Sequence, residues 1–293
     1  MMQRSLYTPY FFLMPALATL LVFFFLPVLA ALAMSFTDFD IYSLGQIGWA
    51  RFVFLQNYRQ LLADPLFWKA MLNTCYFVLV GAPLTIAVAF FAALALNSKW
   101  LHFRSAFRLA LFMPVVTTLV AVAVVWRYLY HPRFGVVNYL LSFLGVAPID
   151  WLGDPNWALP ALIVLAVWKN FGYYMMIFLA GLQTIPDYLY EAARLDGANW
   201  WQQQRNVTLP QLAPTTFFVT FITLIGYFQF FAEPYVMTQG GPLNSTLSVV
   251  LYLYQQGFRW WRMGYSTAIA FVFFSIVLLL ALLNMMMKRK QEA

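Results

Sequence analysis

The sequence has few charged residues and almost no cysteine. Only 9% of its 293 residues are Asp, Glu, Lys or Arg and 63% are hydrophobic, whereas a soluble domain has about 25% charged and about 45–50% apolar residues. This balance excludes an ordinary soluble protein and indicates an integral membrane protein. The single cysteine, Cys75, excludes an internal disulfide bond, and because it lies in an apolar run it says little about the redox compartment.

Two motifs for hydrolytic chemistry are also missing. The chain contains no G-x-x-x-x-G-K-[ST], so it does not hydrolyse ATP by the P-loop route. It contains no H-E-x-x-H, which excludes the zincin arrangement of metal ligands. We therefore do not expect an enzyme of either class.

Long apolar runs account for most of the sequence. Six of them are long enough to cross a bilayer, and we expect the first to stay in the protein because its apolar core is far longer than that of a secretory signal. No internal repeat or linker is present, so residues 1–293 are predicted to form one transmembrane domain. The predicted spans are residues 10–34, 70–96, 109–126, 158–182, 212–232 and 266–287.

The distribution of Lys and Arg predicts the orientation in the membrane. Segments 1–9, 97–108, 183–211 and 288–293 hold nine Lys and Arg in 56 residues, and the other connecting segments hold seven in 99 residues. The denser side is expected to face the cytoplasm, together with both termini. The net charge of +7 is spread over these loops and forms no stripe for nucleic acid.

The predicted topology separates the residues that an enzyme active site would need. His102 and His131 fall in loops on opposite sides of the membrane and cannot form one catalytic or metal site. An intramembrane serine protease is an alternative, since Gly264-Tyr265-Ser266 contains a G-x-S. Such an enzyme needs a histidine in a facing helix to accept the serine proton, and no predicted span contains one.

The predicted cytoplasmic segment 183–211 is polar and competent to form helices. Pro186 suits the first position of a helix, and Asp187 places negative charge near its positive end. Gly197 interrupts this helix where a left-handed turn would disfavour any residue with a Cβ atom. A second short helix is predicted over residues 198–206, ended by Leu209-Pro210.

The spacing in this segment resembles the EAA loop of the membrane-spanning subunits of binding-protein-dependent ABC importers. The pattern consists of E-A-A at residues 191–193, three residues, Gly197, nine residues and then hydrophobic-x-Leu-Pro at residues 207–210. This sequence departs from the family at Gln204, where the family usually has an aromatic residue. An ordinary amphipathic surface helix is the alternative. The resemblance implies that the segment is a coupling helix that docks on a cytoplasmic ATPase, with contact residues Glu191, Ala192, Ala193, Asp196, Gly197, Leu209 and Pro210.

Two shorter patterns resemble the sugar-transporting branch of this family. The run T-x-G-G-P-x-x-S-T at residues 238–246 is similar to the relatives of the larger maltodextrin permease subunit. Phe54–Leu61 resembles the family's outer segment F-x-x-N-Y-x-x-L. A plain surface turn is compatible with the first pattern.

Polar residues at helical spacing on the fourth and fifth predicted spans suit a sugar, because tyrosine rings stack on a pyranose while hydroxyls and amides bind its edge. Lys169, the one formal charge within a predicted span, faces either the lumen or the outer interface by snorkelling. Each of these residues is alternatively a partner in helix packing. The resemblance implies that the substrate path contains Lys169, Asn170, Tyr173, Thr223, Tyr227 and Gln229.

By this resemblance the chain is an all-α membrane protein with six transmembrane helices and a type I ABC importer (MetI-like) core. It would be a carbohydrate permease subunit of the bacterial plasma (inner) membrane, paired with a second homologous permease, two P-loop ATPase subunits and an extracytoplasmic sugar-binding protein. ATP and Mg would be used by the ATPase, and no cofactor by this chain. A permease for a non-sugar solute and a six-span secondary transporter are the alternatives.

Overall fold

The structure, a computed structural model, describes residues 8–44, 51–98 and 101–292. β pairing in these residues is limited to one isolated bridge between Thr37 and Phe52, which confirms the predicted all-α class. The helices are α1 Thr8–Leu20, α2 Leu26–Ser35, α3 Gln56–Leu62, α4 Pro65–Asn97, α5 Arg104–Val116, α6 Leu119–Leu129, α7 Val136–Ser142, α8 Pro155–Gln183, α9 Asp187–Leu195, α10 Trp200–Gln203, α11 Leu209–Gln211, α12 Ala213–Phe228, α13 Ala232–Met237, α14 Val249–Tyr254 and α15 Met263–Glu292.

Five stretches are long and apolar enough to cross a membrane, and a sixth is obtained if the bent pair α5 and α6 is counted as one span. The first stretch contains most of α1 and all of α2. A π-helical turn at Leu21–Phe25 joins the two helices and lies between Pro15 and Pro27. The five are Phe12–Ser35, Pro65–Asn97, Pro155–Gln183, Ala213–Met237 and Met263–Leu282.

The third predicted span differs most from its expected form. The sequence predicts a kink at Pro114, but α5 continues past it and ends at Val116. Thr117 and Thr118 are extended, and α6 then leaves at 99° to α5. The Thr117 hydroxyl donates to the carbonyl of Pro114 at 2.7 Å, and such local side-chain bonds compete with continuation of a helix.

The described residues divide into two compact units. The first contains the described residues up to Phe67 together with Tyr252–Ile276. Here Asn57 donates to the carbonyls of Ser35 and Thr37, and the Tyr58 hydroxyl bonds the Ser35 hydroxyl at 2.7 Å. Asn57 and Tyr58, which belong to the F-x-x-N-Y-x-x-L pattern, therefore fasten α3 to the end of α2.

Asp64 is the charged centre of this unit. Its carboxylate accepts hydrogen bonds from the hydroxyls of Tyr252 and Tyr265 and from the backbone N–H of Leu66. Burial raises the pKa of Asp64, but these hydrogen bonds outweigh burial and hold the pKa below its usual value. Burial and the neighbouring carboxylate raise the pKa of the Tyr252 hydroxyl to about 12.

The second unit contains Trp68–Leu251 and the described residues from Val277 onward. Its core lies along α8, where Phe178 and Leu182 pack with the small residues Ala89 and Ala93 of α4. Gly172 of α8 lies so close to α5 that an added Cβ atom would be 2.3 Å from the carbonyl oxygen of Leu111. The small residues therefore allow close helix packing at this position.

The T-x-G-G-P run is a compact turn in the second unit. Gly240 has a φ of +89°, a conformation that favours glycine. The hydroxyls of Thr238 and Thr246 bond each other at 2.7 Å, and Thr246 also donates to the Gly241 carbonyl at 2.8 Å. The two threonines of the pattern therefore close the turn from within.

Candidate functional site

The candidate coupling segment begins with α9. Pro186 has the extended ψ of 134° and lies one residue before the helix, at the N-cap and not at the first helical position that the sequence suggests. Asp187 lies in the first turn and Arg194 in the last turn. Both charges are placed favourably relative to the helix dipole.

The end of α9 is a Schellman motif. Gly197 has a φ of +75°, its N–H donates to the Arg194 carbonyl at 3.1 Å, and the Ala198 N–H donates to the Ala193 carbonyl at 2.9 Å. This pair of bonds defines the motif, in which glycine takes the left-handed position. The predicted role of Gly197 in the bend is confirmed by this geometry.

After the bend, Asn199 and Gln202 form a capping box. The Asn199 side chain accepts from the Gln202 N–H at 3.0 Å, and the Gln202 side chain accepts from the Asn199 N–H at 2.7 Å. The predicted end of this helix at Leu209-Pro210 is wrong. A π-helical turn at Gln204–Thr208 leads into α11, where Pro210 is in the first turn and needs no N–H donor.

The two halves of the segment are joined to each other and to the core. The Tyr190 hydroxyl bonds the Thr208 hydroxyl at 2.9 Å, and Thr208 is buried. Leu189, Tyr190 and Val207 pack against the core cluster that includes Leu182 and Leu212. The segment is therefore anchored by one side and can move with the ends of α8 and α12.

The opposite side of the segment is exposed. Among the predicted contact residues, Ala193 is partly buried, whereas Glu191, Ala192, Asp196, Gly197, Leu209 and Pro210 are exposed. Leu195 has 90% of its surface accessible, and Trp201 has 71%. The rings of Trp200 and Trp201 meet edge to face at 4.7 Å. Sequence reasoning missed these apolar groups, although two adjacent tryptophans in a polar segment are a visible signal.

Gln204, the departure from the family pattern, starts the π-helical turn. Its side chain is partly buried, and the side-chain amide oxygen Oε1 has no hydrogen-bond partner within the described part of the chain. Unpaired buried polar atoms are uncommon in folded proteins. An amide at this position therefore does not reproduce the apolar packing expected of an aromatic residue.

A cavity of about 330 Å³ lies within the second unit, between α4, α6, α8, α12 and α13. This volume is at the lower end of the range of about 300–1,000 Å³ that is usual for small-molecule sites. Aromatic rings form much of its wall, and amide and carboxylate groups interrupt it. It is lined by Phe77, Leu119, Ala166, Asn170, Tyr174, Gly226, Tyr227, Gln229, Phe230, Phe231, Ala232 and Glu233.

Three residues of the predicted substrate path line this cavity: Asn170, Tyr227 and Gln229. Tyr227 is buried, and its hydroxyl is hydrogen-bonded to Thr85 of α4. A Cβ atom on Gly81 would be 2.7 Å from the Tyr227 ring. Tyr227 therefore forms a fixed wall, while Gln229 is exposed.

The other three predicted residues do not line the cavity. Lys169 donates to the carbonyl of Val115 at 2.9 Å, near the end of α5. Tyr173 is 47% exposed, and buried Thr223 donates to the Val219 carbonyl and interacts with Tyr174. The residues of α8 that line the cavity are Ala166, Asn170 and Tyr174.

Glu233 is the charged residue of the cavity lining, and sequence reasoning missed it. The fifth span was predicted to end at Ala232, whereas the apolar stretch continues through α13 to Met237. Glu233 is only 9% exposed. One signal for it was visible in the sequence, because Glu233 is the one acidic residue between Leu212 and Arg262.

The described residues contain no group of three or more His, Cys, Asp or Glu side chains placed to hold a metal ion. The cavity therefore offers aromatic faces, two amides and one carboxylate. Such groups can bind and orient a polar organic solute.

Comparison with known proteins gives consistent relatives. Residues 65–292 match the family described as binding-protein-dependent transport system inner membrane component. The arabinooligosaccharides transport system permease protein AraP of Bacillus subtilis is 36% identical over 94% of this chain and 87% of its own length. The lactose transport system permease protein LacF of Rhizobium radiobacter is 35% identical over 96% and 94%.

A solved structure has the same fold over nearly the whole chain. It is a bacterial ABC transporter involved in the import of the acidic polysaccharide alginate, with 25% identity and a TM-score of 0.80, covering 97% of this chain and 96% of that one. This chain therefore belongs to the family of inner-membrane components of binding-protein-dependent transport systems.

Proposed function

We propose that the chain is the permease subunit of an ATP-driven importer for a saccharide. The observation that carries this proposal is the coupling segment, a helix ended by a Schellman motif with its E-A-A face exposed and its other face anchored to α8 and α12. Relatives named for arabinooligosaccharides and lactose support a saccharide as the solute.

In this proposal the segment transmits ATPase movement as a rigid body. Glu191 provides a charged contact, Ala192 and Ala193 allow close docking, and Gly197 sets the bend. Asp196, Leu209 and Pro210 border the same exposed side. Rigidity is supported by the Tyr190–Thr208 hydrogen bond, which joins the two halves of the segment, and by the capping box at Asn199, which fixes the start of α10.

The solute would pass the cavity in the second unit. Asn170 and Gln229 would bind hydroxyl groups, and Tyr227 would offer a ring face. Lys169, Tyr173 and Thr223 would act on this path indirectly, through the end of α5 and through Tyr174. This division is supported by their contacts, because among the six predicted residues Asn170, Tyr227 and Gln229 border the cavity and the other three do not.

The proposed assembly contains a second homologous permease, two P-loop ATPase subunits that use ATP and Mg, and an extracytoplasmic binding protein. We infer that it resides in the bacterial plasma membrane with both termini in the cytoplasm. The higher density of Lys and Arg on that side supports this orientation. We propose that residues 1–293 function together as one permease domain.

The test is to tag the protein in its own host, solubilise it gently and identify the co-purifying chains by mass spectrometry. We expect a second six-span permease and a P-loop ATPase. The Glu191→Lys variant should lose the ATPase and keep the permease, because it reverses one charge on the exposed face. Isolation of a stable folded chain without either partner would contradict the proposal and favour a secondary transporter.

A further inference from the structure

The C-terminal end of α6 borders another cavity of the second unit, separate from the solute cavity. Its volume is about 260 Å³, and it is lined by Val124, Arg127, Tyr128 and His131. Three of these four side chains carry hydrogen-bond donors, and none of the described residues that line the cavity is acidic. The lining is therefore suited to a negatively charged group.

The donors in this cavity are not used by the protein itself. Within the residues that the structure describes, the Arg127 guanidinium and the Tyr128 hydroxyl make no hydrogen bond or ion pair. The His131 ring is stacked on Phe134 at 3.4 Å, and its Nδ1 accepts from the backbone N–H of Arg133 at 3.2 Å. A neutral imidazole that accepts at Nδ1 carries its proton at Nε2. All three side chains can therefore donate to one anion.

The surroundings of the cavity are those of a membrane interface. Arg127 is the first residue after the third predicted span. Val120 and Val124 are 57% and 43% exposed on the preceding turns of α6, four residues apart and therefore on one face. The rings of Trp126 and Tyr130 are 5.2 Å apart at the end of the helix, and tryptophan and tyrosine are enriched at the level of the lipid headgroups. Exposed apolar residues are thus followed by free donors at headgroup level.

We propose that Arg127, Tyr128 and His131 bind the phosphate group of a phospholipid. The planar guanidinium pairs with two phosphate oxygens, the hydroxyl and the Nε2–H add donors, and the exposed valines contact an acyl chain. An arginine next to hydrocarbon extends its charge to the headgroups. Because α6 also contributes Leu119 to the solute cavity, the lipid would hold one end of a helix that borders the solute path. The inference does not depend on the identity of the solute.

The test is native mass spectrometry of the full-length protein in detergent, with its co-purifying subunits, titrated with lipid. The probes are phosphatidylglycerol and a diacylglycerol with the same acyl chains. We expect phosphatidylglycerol to bind at least about tenfold more tightly, since only it carries the phosphate. Arg127→Gln should weaken its binding by about tenfold, the effect of losing a charged hydrogen bond, and Tyr128→Phe by about threefold, the effect of losing a neutral one.

Arg133→Gln is the matched control. It makes the same change of charge in the adjacent turn, its exposed side chain is outside the cavity lining, and it keeps the backbone N–H that is bonded to His131. The affinity for phosphatidylglycerol should not change in this variant. The inference is overturned if the diacylglycerol binds as tightly as phosphatidylglycerol, or if Arg127→Gln and Arg133→Gln weaken binding equally.

Inorganic phosphate is the third probe, and it distinguishes a lipid from a soluble anion. If it binds with the same dependence on Arg127 while phosphatidylglycerol does not, the lipid assignment is overturned. If Arg127→Gln binds lipid as wild type does but no longer co-purifies with a partner permease, the donors belong to a subunit interface and the inference is also overturned.

Discussion

Gly197 has a backbone conformation that other residues rarely adopt, yet the space around it is open. Its φ is +75°, and apart from its chain neighbours no atom of the described residues lies within 4 Å of the position of an added Cβ atom. A substitution therefore acts through the backbone and not through a steric clash. For residues with a Cβ atom this conformation costs about 1–2 kcal/mol, and asparagine tolerates it better than most.

We predict that Gly197→Val reduces solute uptake per ATP hydrolysed and leaves the protein inserted in the membrane. An energy of 1–2 kcal/mol changes a population by roughly 5- to 30-fold, so coupling should fall by up to this factor. Uptake and ATP hydrolysis are measured together in proteoliposomes. Gly197→Asn is the control and should retain most of the coupling. Equal loss in both variants would show that the left-handed turn is not the cause.

Asp64 gives the first unit a defined dependence on pH. Its pKa is held below the usual value by hydrogen bonds from Tyr252 and Tyr265. Because the folded-state pKa is lower than the unfolded-state value, the ionised carboxylate stabilises the fold at neutral pH. This stabilisation decreases as the pH falls below the unfolded value of 3.8 and is lost below the folded-state pKa.

We therefore predict that Asp64→Asn lowers the thermal unfolding temperature at pH 7 and that the difference from wild type shrinks below pH 4. The measurement is the unfolding temperature of detergent-solubilised protein from pH 7 to pH 3. Asp38→Asn is the comparison, since the Asp38 carboxylate accepts its described hydrogen bond from the backbone N–H of Arg51. A difference between wild type and Asp64→Asn that does not change with pH would contradict this account.

At the scale of elements, the junction between α5 and α6 depends on a bond from α8. The last carbonyls of α5 have no partner within that helix, and Lys169 supplies a charged donor to the carbonyl of Val115 at 2.9 Å. The ammonium group of the partly buried lysine is therefore bonded to the end of α5. Its position links the 99° bend to the helix that lines the cavity.

We predict that Lys169→Met lowers the free energy of unfolding by about 1–3 kcal/mol, because the partly buried carbonyl of Val115 loses its charged donor. Lys169→Arg retains a charged donor and should lose less. Stability is measured by denaturant titration in detergent. If Lys169→Met keeps wild-type stability but alters the apparent affinity for solute, the lysine contacts the solute directly and its role at the junction is wrong.

Sequence patterns predicted the elements that follow from local chemistry. The bend at Gly197 and the close turn at Gly240 require a left-handed residue, and glycine marks both positions. The sequence could not distinguish Tyr173 from Tyr174, because the two side chains have the same chemistry. In the structure Tyr173 is exposed, whereas Tyr174 is buried and borders the cavity. Glu233 was missed because α13 continues a stretch that hydropathy had ended at Ala232.

At the scale of the whole molecule, the proposed orientation places the coupling segment and the G-G-P turn on opposite sides of the membrane. Leu195 in the first and Leu243 in the second are both highly exposed, at 90% and 78%. The chain has one cysteine, so a Cys75→Ala background allows a single thiol to be introduced at each of these positions.

We predict that a membrane-impermeant maleimide labels Leu243→Cys in right-side-out vesicles and Leu195→Cys only in inside-out vesicles. Labelling in the reverse pattern would contradict the orientation inferred from the basic residues. The same pair tests the docking role of the segment. Expression together with the ATPase should protect Leu195→Cys in inside-out vesicles, because the exposed side chain would lie under the docked subunit. Leu195→Cys labelled at the same rate with and without the ATPase would place the contact elsewhere on the segment.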